Sequence, residues 1–171
     1  MTGLSYLYAV ALGSNRAGPG GASPRAMVAA ALAALDDGPL TLLDASPVMD
    51  SAPQGPSRRR YANGAALVAS RLLPDAMMAQ LHAIEETLGR RRARRWGPRR
   101  IDLDLILWSE GSFATDDLVV PHRAFRTRAF VLGPLLALAP EWHDPVTGHT
   151  VRQLHARLHR RKPVDRPGPP H

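Results

Sequence analysis

Cysteine is absent from all 171 residues, so no disulfide braces the fold and no thiolate serves as nucleophile or metal ligand. A secreted disulfide scaffold is thereby excluded. Lysine is almost missing as well: Lys162 is the only one, and the formal charge of +7 therefore rests on arginine. Aromatic residues are scarce, three each of Trp, Tyr and Phe. No apolar run approaches the roughly 20 residues that span a bilayer. The apolar opening, residues 4–12, has neither a basic leader nor a small-residue cleavage site, so it reads as a strand and not as a signal peptide. A cytoplasmic protein without membrane attachment is the expectation. Against these shortages stands an apolar fraction of 44%, too high for a disordered chain. The length suits one domain with one sizeable core.

The arginines cluster at 90–100, at 123–128 and at 152–166. A basic balance of this kind fits nucleic acid, a membrane surface or a small polyanion. The run Arg95-Trp96-Gly97-Pro98-Arg99-Arg100-Ile101-Asp102-Leu103-Asp104-Leu105-Ile106-Leu107 narrows the choice. Two aspartates one residue apart interrupt large aliphatics with a period of two. On a β-strand both carboxylates project from one face, while Ile101, Leu103, Leu105 and Leu107 line the other. Two like charges on one face are costly without a cation between them. Hard oxygen ligands beside guanidinium forks suit a magnesium–polyphosphate complex, which points to ATP chemistry.

Strand-like segments are expected at 4–12, 41–45, 61–72 and 101–108. Ser23-Pro24 starts a helix as N-cap and first-turn proline, running to about residue 35 with Met27, Ala31, Ala34 and Leu35 inward. Pro74 opens a second helix, with Met77, Leu81, Ile84 and Leu88 on one stripe and Gly89 as its C-terminal cap. Residues 46–60 read as a long loop, and a loop also holds Val119-Val120-Pro121-His122. A third helix is expected over 124–138, with Gly133-Pro134 threatening its middle, and a short one from after Gly148 to about 158. The order βαββαβ followed by helices is the split βαβ arrangement, an α+β ferredoxin-like sheet with additional C-terminal helices. One domain covers 1–159, and 160–171 is a basic, Pro-rich tail expected to be disordered.

These segments together resemble the 6-hydroxymethyl-7,8-dihydropterin pyrophosphokinase family over about residues 6–151. The likeness is carried by Arg95-Trp96-Gly97-Pro98-Arg99 with Ile101-Asp102-Leu103-Asp104, supported by Leu12-Gly13-Ser14-Asn15, Tyr61-Ala62-Asn63, Ile84-Glu85, Val120-Pro121-His122 and Arg128-Ala129-Phe130-Val131-Leu132. The resemblance implies transfer of the terminal diphosphate of ATP to the hydroxymethyl oxygen of the pterin, releasing AMP, in folate biosynthesis. It implies that Asp102 and Asp104 hold two magnesium ions bridging the ATP phosphates. Arg90, Arg92, Arg95 and Arg99 match phosphate-binding arginines and their loop, and Trp96 a tryptophan closing over the site. His122 and Arg128 match phosphate contacts, with Glu85 and Leu105 on the adenosine side. Tyr61 and Phe130 match the aromatics that sandwich the pterin, Asn63 the amide reading its edge, and Ser51 and Pro53 the loop whose backbone contacts that edge; Trp96 and Asp102 also match pterin-binding positions. A flat polar heterocycle suits aromatic faces with an amide offering donor and acceptor together. A monomer is expected, with no nucleic-acid partner.

The chain departs from the family pattern in two loops, each one residue short: the one before Tyr61, filled with Arg58-Arg59-Arg60, and the one before Trp96. His82 stands where glutamine is expected and Asp117 where arginine is common. No residue stands out as a dedicated general base; Asp104 and a metal-bound substrate hydroxyl both remain open. Met77 and Met78 read as core. His143, His149, His155 and His159 read as structural or exposed. Two rivals from other classes are a small ferredoxin-like RNA-binding module and a nucleotidyltransferase using two-metal aspartates, which releases pyrophosphate instead of AMP. The Asp pair weighs against RNA, because carboxylates on the sheet face repel a phosphate backbone.

Overall fold

A computed structural model of the chain describes residues 3–16, 19–51, 60–89 and 100–160. The tail beyond 160 and the arginine-rich segments 52–59 and 90–99 lie outside the described residues. In chain order the elements are β1 (Tyr6–Ser14), α1 (Pro24–Ala34), β2 (Leu40–Ala45), β3 (Met49–Ser51), β4 (Tyr61–Ser70), α2 (Pro74–Thr87), β5 (Asp102–Trp108), β6 (Phe113–Ala114), β7 (Val119–Val120), α3 (Ala129–Leu138) and α4 (Val151–His159). The main sheet runs β2-β4-β1-β5 with every neighbour antiparallel, and β3 adds to the end of β4. That order is the ferredoxin-like split βαβ: β1 and β2 are parallel but separated by β4. A separate two-stranded pair joins β6 and β7.

Alternation along the strands divides two cores. Tyr8, Val10 and Leu12 of β1, Ala62, Ala66 and Val68 of β4, and Leu103 and Leu105 of β5 face α1 and α2. Ala9, Ala11, Ala65, Ile106 and Leu107 face α3 and α4. Leu107 thus departs from the expected face. A bulge is the reason: Ala9 pairs Leu107 and Val10 pairs Leu105, so Ile106 is the extra residue and the alternation inverts after Leu105.

The helices form where their caps predict. Ser23 Oγ accepts from Ala26 N at 3.1 Å and Pro24 opens α1. This helix buries Met27, Val28 and Ala31, and Leu35 follows buried; Ala34 is only half-buried and Val28 takes its place. Helix α2 buries Pro74, Met77, Leu81 and Glu85, and Gly89 follows it at φ 127, a conformation that disfavours any side chain. Thr150 and Gln153 cap α4 reciprocally.

Two expectations fail here. The long loop contains β3, whose Met49, Asp50 and Ser51 pair with Asn63, Ala62 and Tyr61. The third helix is not continuous from 124. Residues Phe125–Thr127 form a 3-10 turn, Arg128 is extended at φ −107 and ψ 103, and α3 begins only at Ala129. Pro134 does not break α3, which buries Val131, Leu132, Pro134 and Leu135 on the sheet; tertiary packing overrides the lost N–H.

The turn before Arg128 is tied to the chain after α3. Arg126 forks onto Asp144, whose carboxylate also accepts from Thr147 Oγ1 at 2.6 Å and from Val146 N at 3.1 Å. Burial pushes the Asp144 carboxyl up, but the bonds from Arg126, Thr147 and Val146 outweigh it and hold it at about 2. The resulting stabilisation is complete above the ordinary carboxylate range and is lost as pH falls through about 2.

Candidate active site

The β1 strand sets the site by register. Gly13 pairs Asn63 on one side and Asp102 on the other, and Ala11 pairs Ala65 and Asp104. Along the face that elsewhere carries the second core, polar side chains therefore stand where α3 and α4 no longer cover the sheet. Period two brings Tyr61 and Asn63 of β4 and Asp102 and Asp104 of β5 onto this one face. The extended Arg128 and the first turn of α3 overhang it.

The result is a cavity of about 240 Å³ lined by Gly13, Ser51, Tyr61, Asn63, Asp102, Asp104, Arg128 and Phe130, with Ala11, Leu12 and Val131 completing the wall. Every expected pterin-side residue among those described lies here, together with both aspartates. Asp102 and Asp104 are half-buried, accessible on the same side of β5. Pro53, Arg90, Arg92, Arg95, Trp96 and Arg99 lie outside the described residues.

The amide of Asn63 is oriented before any ligand arrives. Its Nδ2 donates to Ser51 Oγ at 2.7 Å, and its Oδ1 stands 3.2 Å from where a β-carbon at Gly13 would lie. A side chain at Gly13 pushes on that oxygen, so glycine keeps the amide in place. Nothing in Leu12-Gly13-Ser14-Asn15 announces this role of Gly13, because the close approach arises only in the β1–β4 pairing. Ser14, 2% exposed, donates to the Arg100 carbonyl and ties the end of β1 to the residue preceding Ile101 and Asp102.

A second, more open cavity of about 510 Å³ adjoins the first, with Asp104 lining both. Its wall includes Met78, His82, Leu105, Asp116, Asp117, Leu118, Val119, His122 and Arg123. The apolar part comes from α2, β5 and the β6–β7 hairpin, none of it foreseen except Leu105. Glu85, expected on the adenosine side, lines neither cavity: it is 2% exposed under β5, and its Oε1 accepts from Leu103 N at 2.8 Å.

His122 N donates to Ile106 O at 3.1 Å, and its Nδ1 accepts from Ala124 N at 3.2 Å. Burial lowers the pKa of His122, Asp104 acts to raise it and Arg128 lowers it again, with a net downward shift. The imidazole is therefore neutral at pH 7, with its proton on Nε2. In the metal-free protein its ring nitrogens should titrate below the usual imidazole range in NMR, with Nδ1 unprotonated throughout the neutral form. A midpoint at or above the usual range contradicts this.

The donor set suits magnesium. Two carboxylates on one strand face are hard oxygen ligands, and Arg128 stands across the same cavity. Among the described residues no group of three or more His, Cys, Asp or Glu converges on one point. An ion held there would need further oxygen ligands from phosphate and water, as is ordinary for magnesium.

Comparison with known proteins gives the family of the chain. The family model for 7,8-dihydro-6-hydroxymethylpterin-pyrophosphokinase (HPPK) matches residues 9–140. The chain is 43% identical over 149 residues to a 2-amino-4-hydroxy-6-hydroxymethyldihydropteridine pyrophosphokinase of Pseudomonas aeruginosa, covering 86% of this chain and 89% of the relative. A Synechocystis sp. protein of the same name is 41% identical over 100 residues, and there the match covers 58% of this chain and 51% of the relative. Among solved structures, a Plasmodium falciparum HPPK-DHPS with pteroate superposes with a TM-score of 0.70 at 12% identity, covering 90% of this chain and 42% of that one. That likeness is one of fold.

Proposed function

The chain belongs to the 7,8-dihydro-6-hydroxymethylpterin-pyrophosphokinase family, a pyrophosphokinase of folate biosynthesis, and on that premise we propose how its own residues carry the reaction. The hydroxymethyl oxygen of 6-hydroxymethyl-7,8-dihydropterin attacks the β-phosphorus of ATP. The bond from that phosphorus to the α-phosphate oxygen breaks, and AMP leaves. The observation that carries this reading is the junction of the two cavities at Asp104. A transfer between two bound molecules happens where their pockets meet, and Asp104 stands at that point with Asp102 beside it in the first cavity.

The first cavity takes the pterin. Tyr61 and Phe130 offer ring faces, and Asn63, held by Ser51, presents an amide to the hydrogen-bonding edge. The second cavity takes the nucleotide. His122, neutral with an Nε2 proton, donates to phosphate oxygens from the second cavity, and Arg128 does so from the wall of the first. Arg90, Arg92, Arg95, Arg99 and Trp96, which precede β5 in the sequence, act on the same phosphates. Asp102 and Asp104 would hold two magnesium ions, which would supply charge neutralisation for the polyphosphate. Residues 1–159 act as one catalytic unit, a monomer working in the cytoplasm. Among the described residues no helix is long and apolar enough to cross a membrane.

Incubation with ATP, magnesium and 6-hydroxymethyl-7,8-dihydropterin should yield AMP and the pterin diphosphate in equal amounts, resolved by anion-exchange chromatography. Release of pyrophosphate points to nucleotidyl transfer. Absence of turnover, with steeply salt-dependent RNA binding, points to the nucleic-acid module.

A further inference from the structure

Asp144 lines neither cavity, and nothing in the reaction uses its charge. Yet its side chain is fully buried while that of Arg126 is 24% exposed, and the two are joined by a fork: Nε donates to Oδ2 at 2.6 Å and Nη2 to Oδ1 at 2.8 Å. A two-pronged pair fixes the plane of the guanidinium as well as its distance. Arg126 lies in the 3-10 turn, whose Phe125 is fully buried and stacked under the Arg126 guanidinium at 4.8 Å. Two residues on stands Arg128, at the cavity wall and 5.7 Å from the Phe130 ring centre.

Arg128 sits between two anchors. Behind it, α3 is packed on the sheet and takes the Arg128 carbonyl as acceptor for Val131 N and Leu132 N at 3.0 Å each. Ahead of it, the turn is locked to Asp144. Its extended backbone is the joint between them. Without the lock, the apolar segment from 124 to 138 is free to relax toward the continuous helix its composition favours, and the Arg128 side chain swings off the wall.

We infer that the Arg126–Asp144 pair is a positioning device that sets the Arg128 guanidinium for the phosphates and thereby sets ATP affinity. The inference rests on the proposed role of Arg128. A double-mutant cycle on the full chain tests it. Arg128→Ala should raise KM for ATP about tenfold with kcat within about twofold, the pattern of lost uniform binding. Asp144→Asn should raise KM for ATP about fivefold in the wild-type background and less than about twofold beside Arg128→Ala. The fall in melting temperature should be the same in both backgrounds. If Asp144→Asn folds poorly, Arg126→Lys, which keeps the charge but loses the fork, should show the same dependence on Arg128. An equal rise in KM with and without Arg128, or no rise in either folded variant, overturns the positioning role alone. An unchanged KM in Arg128→Ala removes Arg128 from phosphate binding, and this inference falls with it.

Discussion

Asp102→Asn and Asp104→Asn are each expected to lower kcat by on the order of a thousandfold or more, about 4 kcal/mol of transition-state stabilisation, without loss of the fold. Both side chains line the cavity and neither belongs to the buried cores. Asparagine keeps their volume and removes only charge. Two residues apart on a strand, the carboxylates are separated by roughly 7 Å. At that distance two like charges repel by about 0.6–2 kcal/mol, depending on how much water screens them. Removing the Asp104 charge relieves that repulsion, so the metal-free Asp104→Asn variant should melt at or above the wild-type temperature. The combination of lost turnover and retained stability separates a site that holds cations from a solvated surface pair. Assay at saturating magnesium, ATP and pterin, with parallel melting curves, gives both readouts. Turnover close to wild type in either variant refutes the cation-holding role.

The parts of the fold that were legible in the sequence are those with local signals. Apolar runs bounded by turn residues mark β1, β2 and β4, period-two spacing marks β5, and Ser23-Pro24, Pro74 and Gly89 mark the helix ends. Strand β3 is three residues long and lies within a proline-containing stretch; its existence depends on pairing with β4, which no local pattern announces. The bulge at Ile106 is invisible for a different reason: Leu105, Ile106 and Leu107 are all large aliphatics, so an inverted alternation leaves no trace in their order. The break at Arg128 is set by Asp144, sixteen residues further along the chain.

The candidate site divides in the same way. The same-face placement of Asp102 and Asp104 follows from spacing alone. Tyr61, Asn63 and Phe130 lie on β4 and α3, elements far apart in sequence, and only the family resemblance brought them together before the fold did. Gly13 became intelligible once its neighbour across the sheet was known to be Asn63. The apolar wall of the second cavity, from Met78 through Leu118 and Val119, draws on three elements, none of which carries a nucleotide pattern of its own.

Glu85→Ala is expected to destabilise the protein by about 2–4 kcal/mol, lowering its melting temperature by about 5–15 °C. The carboxylate is buried on α2 and accepts the N–H of Leu103, the residue between the two aspartates. Among the described residues strand β5 lies at the end of the sheet order, with β1 on one side only, and that N–H turns to Glu85 instead of to a strand. Removing the acceptor leaves it buried and unsatisfied, and removes packing beneath β5 as well. Glu85→Gln keeps an oxygen acceptor and the same volume, so it should retain most of the stability and most of the turnover. A residue that chiefly contacts adenosine behaves oppositely: Glu85→Ala then raises KM for ATP at an unchanged melting temperature, and Glu85→Gln shows part of the same rise. Melting curves and ATP saturation kinetics on the two variants decide between these roles. The structural role further requires that Glu85→Ala lower kcat through β5, because Asp102 and Asp104 flank the peptide that Glu85 holds.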